Sequence, residues 1–91
     1  MTLDQAIANL IAEQNALAAP CAAMNAARAA MKRSRSQKNL TALNDAIAAF
    51  EAQIDKIDEA RATCDQIEAA ANLQARKDRH EVLAAAQPSL F

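Results

Sequence analysis

The chain has 91 residues, of which 26 are Ala and two are Pro, with no Gly, Trp or Tyr, and its formal net charge is −1. That length holds one domain at most, and the near-zero charge gives no global attraction to nucleic acid or to a membrane surface. A chain without Gly has few tight turns, and Ala is the strongest helix former because it loses no side-chain entropy in a helix. Strand formers are scarce and never alternate, so the expected fold class is all-α.

The first helix is expected to begin at Leu3, because Thr2 and Gln5 have the spacing of a capping box. From there a 4-3 spacing runs through Leu3, Ile7, Leu10, Gln14, Leu17, Cys21, Met24, Arg28 and Met31, the phase of a heptad seam. Pro20 lies inside it, where a proline removes one hydrogen bond and clashes with the preceding turn. The seam keeps its phase across Pro20, which favours one kinked helix over about 3–31; a short break, with Pro20 opening a separate helix, is the alternative.

The apolar seam stops at the basic stretch Lys32–Asn39, read as a turn over 32–38, with Ser34 and Ser36 both suited to cap a second helix. A second seam then runs through Leu40, Leu43, Ile47, Phe50, Ile54 and Ile57. Arg61 breaks it, and a shifted register of Ala60, Cys64, Ile67 and Ala71 is expected to continue as a stammer. Helical composition continues to Ala86, where Gln87 precedes Pro88 and is pushed out of the α region.

Residues 1–86 therefore read as an antiparallel helical hairpin, or two-stranded coiled coil, with helices over about 3–31 and 37–86. The second helix is longer and overhangs near residues 70–86, which either project, fold back as a third helix or pair with another chain. About half of the apolar content is Ala, so the core is thin. Completion by homo-oligomerisation is expected.

Several functional classes recede on inspection. His80 is the only histidine and sits among charged residues, no Ser or Cys stands beside a base, and no Gly-rich phosphate loop is present. No enzyme activity, cofactor or metal site is expected. Asp55, Asp58 and Glu59 read as a solvated helix face. Cys21 and Cys64 fall on seam positions and read as small buried hydrophobes; lying far apart without a CxxC, they suit a reducing compartment. The opening residues do not resemble a signal peptide, and no 18-residue run lacks polar residues, so no membrane span is expected and the chain reads as cytoplasmic.

Charge is segregated. Five basic residues and no acidic ones lie between Glu13 and Asp45, whereas seven acids stand against Lys56 and Arg61 from Asp45 to Glu68. Candidate phosphate contacts are Arg33, Arg35 and Lys38 at the turn and Arg76, Lys77 and Arg79 in the overhang. The competing reading of the turn cations is a favourable interaction with a helix C-terminus. It is preferred, because no aromatic residue is interleaved to stack on bases.

The last five residues are Gln87, Pro88, Ser89, Leu90 and Phe91. After a helix stop they form an extended tail with two large apolar side chains, an amide that both donates and accepts, and a proline that reduces the entropy lost on binding. Such a peptide suits a groove on another protein. QPSLF resembles the bacterial sliding-clamp-binding motif, whose pattern is Gln, any residue, Ser or Asp, Leu, Phe. The resemblance implies that Gln87 is the polar anchor at one end of a clamp groove, Ser89 the small polar third position, and Leu90 and Phe91 the occupants of a hydrophobic pocket. Pro88 departs from the Leu favoured at the second position, and the resemblance covers five residues only.

The function expected from the sequence is thus a non-enzymatic interaction protein, such as a phage or plasmid accessory protein. It would dock into the bacterial DNA polymerase sliding clamp and modulate or inhibit replication by competing with polymerase or clamp loader. The alternatives are a nucleic-acid-binding hairpin and a structural coiled-coil adaptor.

Overall fold

The computed structural model describes residues 1–86, the side chain of Ala86 excepted. It contains three helices in chain order: α1 (Leu3–Asn15), α2 (Ala18–Arg33) and α3 (Gln37–Ala86). α1 and α2 form one long bent rod, and α3 is a second, longer rod packed along both. The molecule measures 85 × 20 × 16 Å with a radius of gyration of 23.6 Å, about twice the ~12 Å of a compact domain of this length.

The start of α1 is the expected capping box. The Gln5 backbone N–H donates to Thr2 Oγ1 at 3.2 Å and the Thr2 N–H donates to Gln5 Oε1 at 2.9 Å, satisfying two donors that lack helical acceptors. The bend comes one turn before Pro20. Ala16 and Leu17 keep right-handed helical φ and ψ, but the Leu17 N–H donates to the Gln14 carbonyl, three residues back, at 3.2 Å. A proline at position 20 has no N–H to offer the Ala16 carbonyl, and the turn that precedes it tightens. The outcome lies between the two sequence expectations: regular helix is interrupted for two residues while the rod continues.

The reversal is a three-residue link, 34–36. Ser36 caps α3: its Oγ accepts from the Asn39 N–H at 3.1 Å and its carbonyl from the Leu40 N–H at 3.0 Å. Asn39 Nδ2 then donates to the carbonyls of Ala30 at 3.2 Å and Ser34 at 2.6 Å, joining the end of α2 to the start of α3. The Ser34 carbonyl belongs to the helix cap, where acceptors otherwise go unpaired, and the Ala30 carbonyl also accepts from the Ser34 N–H at 3.0 Å.

The interface runs on a different stripe from the expected one. On the bent rod the covered stripe is Leu3, Ala6, Leu10, Glu13, Leu17, Pro20, Met24, Ala27 and Met31, with Cys21 and Ala30 half-buried beside it. The expected Leu3, Leu10, Leu17, Met24 and Met31 are retained. Ile7, Gln14 and Arg28 are exposed, however, and their places are taken by the residue before each, as Pro20 stands before the half-buried Cys21. On α3 the covered stripe is Leu43, Ala46, Phe50, Gln53, Ile57, Ala60, Cys64 and Ile67, an unbroken 3-4 repeat. No stammer is needed at Arg61, and Leu40 and Ala71 are exposed. Small residues explain both corrections. Ala6, Ala27, Ala46 and Ala60 let two backbones approach closely, and close approach recovers dispersion along the whole rod. The bulkier Ile7, Ile47 and Ile54 are left at the shoulder.

Gln53 is the buried polar residue of this seam, 8% exposed. Its Nε2 donates to the Glu13 carbonyl at 2.9 Å and to Glu13 Oε2 at 2.8 Å. The Glu13 carbonyl would ordinarily accept from Leu17, whose N–H is bonded to Gln14 instead. Beyond Ile67 every described residue of α3 is exposed, so the overhang projects as a continuing helix.

Gln53→Ala strands the Glu13 carbonyl at the interface and is expected to destabilise the hairpin by about 1–3 kcal/mol; the loss should be smaller in a Pro20→Ala background, where Leu17 can return to Glu13, as a double-mutant cycle by thermal denaturation will show. In native-state hydrogen exchange, amides of residues 70–86 are expected to exchange at least roughly tenfold faster than those of residues 43–64, because only the latter are held by tertiary contacts.

Candidate functional site

Gln87, Pro88, Ser89, Leu90 and Phe91 lie outside the described residues. The described part of the chain supplies the support before them. α3 runs unbroken to Ala86, and residues 68–86 extend about 28 Å past the hairpin at 1.5 Å per residue. This stretch is rich in Ala and carries Leu73, Val82 and Leu83 as its large apolar side chains, all exposed. They do not share a helix face, so the overhang has no single apolar stripe. Gln74 Nε2 donates to Asp78 Oδ1 at 2.9 Å, a local contact across one turn.

The six candidate phosphate contacts fall into two groups. Arg35 joins Arg28 and Lys32 around a shallow open groove at the turn end, whose apolar floor is Met31 and Leu43. Arg33 and Lys38 do not line this groove, although both are exposed. Arg76, Lys77 and Arg79 are on the overhang, about 57 Å along α3 from Lys38 at 1.5 Å per residue. The two clusters therefore do not form one interface on a single molecule. Arg28 and Lys32 were missed as groove residues from the sequence because Arg28 occupied a presumed seam position; the one-residue shift of the seam turns it outward.

Both cysteines are free thiols, Cys64 buried and Cys21 half-buried. Asn25 Nδ2 lies 3.9 Å from Cys21 Sγ, a weak donor contact one turn away on the same helix. Among the described residues no group of three or more His, Cys, Asp or Glu converges to hold a metal ion. No helix among them is long and apolar enough to cross a membrane. No buried side-chain nitrogen or oxygen among them lacks a hydrogen-bond partner, so no polar side chain is left poised for a ligand inside the hairpin.

No protein-family model, curated protein or solved structure significantly matches this chain. The turn groove and the QPSLF segment therefore rest on their own chemistry.

Proposed function

We propose that the chain is a non-enzymatic interaction protein that docks into the bacterial DNA sliding clamp through Gln87, Ser89, Leu90 and Phe91. The observation that carries this reading is the sequence QPSLF itself, which fits the clamp-binding pattern at each of its four specified positions. The fold is compatible in one respect: beyond Ile67, α3 is not covered by α1 or α2, so the segment is attached to a rod with free space around it.

The chemistry of docking is simple. Leu90 and Phe91 leave water for an apolar pocket, and each large side chain fully buried contributes about 1.5–3 kcal/mol. Gln87 adds an orienting amide that donates and accepts, and Pro88 lowers the entropy lost when the peptide is fixed. A micromolar complex, the strength expected here, corresponds to roughly −8 kcal/mol. Polymerase and loader use the same kind of groove, so occupancy by this protein excludes them by mass action, and replication is modulated or inhibited in the cytoplasm where the clamp works.

Calorimetric titration of the full chain into a purified bacterial clamp tests the reading. Micromolar binding is expected, abolished when Leu90 and Phe91 are deleted and weakened roughly tenfold by Gln87→Ala, the loss of one buried polar anchor. Equal binding by the deletion variant, or no binding to a clamp that takes up a known motif peptide, would overturn it.

A further inference from the structure

With Leu3 at heptad position a and Ala6 at d, and with Leu43 at a and Ala46 at d on α3, each rod has two flanks beside the seam. Heptad positions e and b face one flank, and g and c the other. Between Leu3 and Ile67 the large apolar side chains left exposed are Ile7, Ile11 and Leu40, at 43%, 51% and 37% exposure. All three fall at e or b. The half-buried Ile47 and Ile54 are also at e, so they continue the same flank. The opposite flank carries Ala16, Ala23, Ala42 and Ala49 at g, with no large apolar residue exposed.

The charges on the apolar flank are sorted by end. At the turn end are Arg28, Lys32 and Arg35, ringing the groove floored by Met31 and Leu43. At the other end are Asp4, Asp58, Asp65 and Glu68, with Arg61 as the one cation, and Glu51, also at b, stands between the two ends. A partner that covers this flank must therefore be mostly apolar in its middle, with room at the edge for the solvated Glu51 carboxylate, acidic opposite the turn and basic opposite the far end. The chain itself, turned end for end, has that pattern.

We propose that the flank carrying Ile7, Ile11, Leu40, Ile47 and Ile54 is a self-association surface, on which two copies lie antiparallel about a two-fold axis near Ala18 and Ile47. In that register Lys32 of one copy is level with Asp4 of the other, and Arg28 with Asp58. Ile7 and Ile11 come level with the groove floor, Met31 and Leu43. Apolar burial supplies the attraction, and the charge pattern sets the direction, because parallel packing would bring the three turn-end cations of each copy together. The interface is isologous, as a two-fold pair requires. A polyanion such as duplex DNA fits the flank less well. It would engage the turn-end cations, leave Met31 and Leu43 unused, and meet five carboxylates along the same side.

Sedimentation equilibrium and native mass measurement of the full chain test this. A species of twice the 9.7 kDa chain mass is expected at micromolar concentration. Ile7→Asp with Ile11→Asp should weaken it by more than roughly tenfold, since each places a carboxylate in an apolar contact, while helicity by circular dichroism is retained. Should that pair lose helicity, charge reversal carries the test. Arg28→Glu/Lys32→Glu and Asp4→Lys/Asp58→Lys are each expected to be monomeric alone and to form a mixed dimer when combined. A wild-type monomer, a dimer indifferent to these changes, or salt-sensitive retention of duplex DNA by the turn end without self-association would overturn the proposal. None of these readings involves the clamp, so the outcome is separate from that of the clamp titration.

Discussion

The amide of Gln53 joins the two rods where the bend in one of them has set a backbone carbonyl free. The chain of causes begins at Pro20, which has no N–H. The preceding turn tightens, Leu17 bonds to Gln14, and the Glu13 carbonyl loses its helical donor. Gln53 supplies the replacement and reaches the Glu13 carboxylate as well. The pair matters for register more than for total stability. A heptad seam slid by seven residues keeps much of its apolar complementarity, but it would leave Gln53 and the Glu13 carbonyl buried without partners, at about 1–3 kcal/mol for such a group. The three-residue link and the Asn39 bonds fix the other end of the hairpin. Between them, these two polar contacts select one alignment from several that the apolar residues would accept.

What the seam gains in closeness it gives up in size. Ala6, Ile57, Ala60, Cys64 and Met24 form the buried apolar core of the described residues, and among these residues no side chain is both large and fully buried. At about 25 cal/mol per Å² of apolar area, Ala contributes little per residue, so the hairpin is held by many short contacts. The same choice of stripe pushes Ile7, Ile11 and Leu40 outward. A thin core and an apolar flank are thus one phenomenon, and covering that flank with a second copy would improve both.

The class of fold was legible because composition is a bulk property: Ala content, absence of Gly and heptad spacing all point to long helices. Local signals were legible too. Thr2 with Gln5 marked the start of α1, and Ser36 was one of two caps foreseen for α3. The choice between adjacent stripes was not, since a sequence pattern ranks Ile above Ala, whereas packing of two backbones ranks closeness. Burial of Gln53 was hidden for a stronger reason. Its partner is a carbonyl forty residues away, made available by a proline that acts on neither residue directly. At the turn, counting charges found the basic patch, but which cations converge depends on helix phase: Arg28 and Lys32 join Arg35 at the groove, and Arg33 and Lys38 do not. QPSLF is legible only as a pattern, because its meaning lies in a surface on another molecule.

The overhang divides the molecule into a hairpin held by tertiary contacts and a single helix held by its own propensity. An isolated helix of this length is marginal in water unless its residues favour it, and residues 68–86 meet that condition with a high share of Ala and a Gln74–Asp78 contact. Their polar surroundings remove any reason to fold back, since Arg76, Lys77, Asp78, Arg79 and His80 would all need new partners against the hairpin. A segment attached at Ala86 therefore begins about 28 Å beyond the last covered turn at 1.5 Å per residue. In an antiparallel pair the two overhangs leave in opposite directions. The proposed flank contact and the QPSLF segment would then use different parts of the chain, the one on the hairpin and the other beyond Ala86.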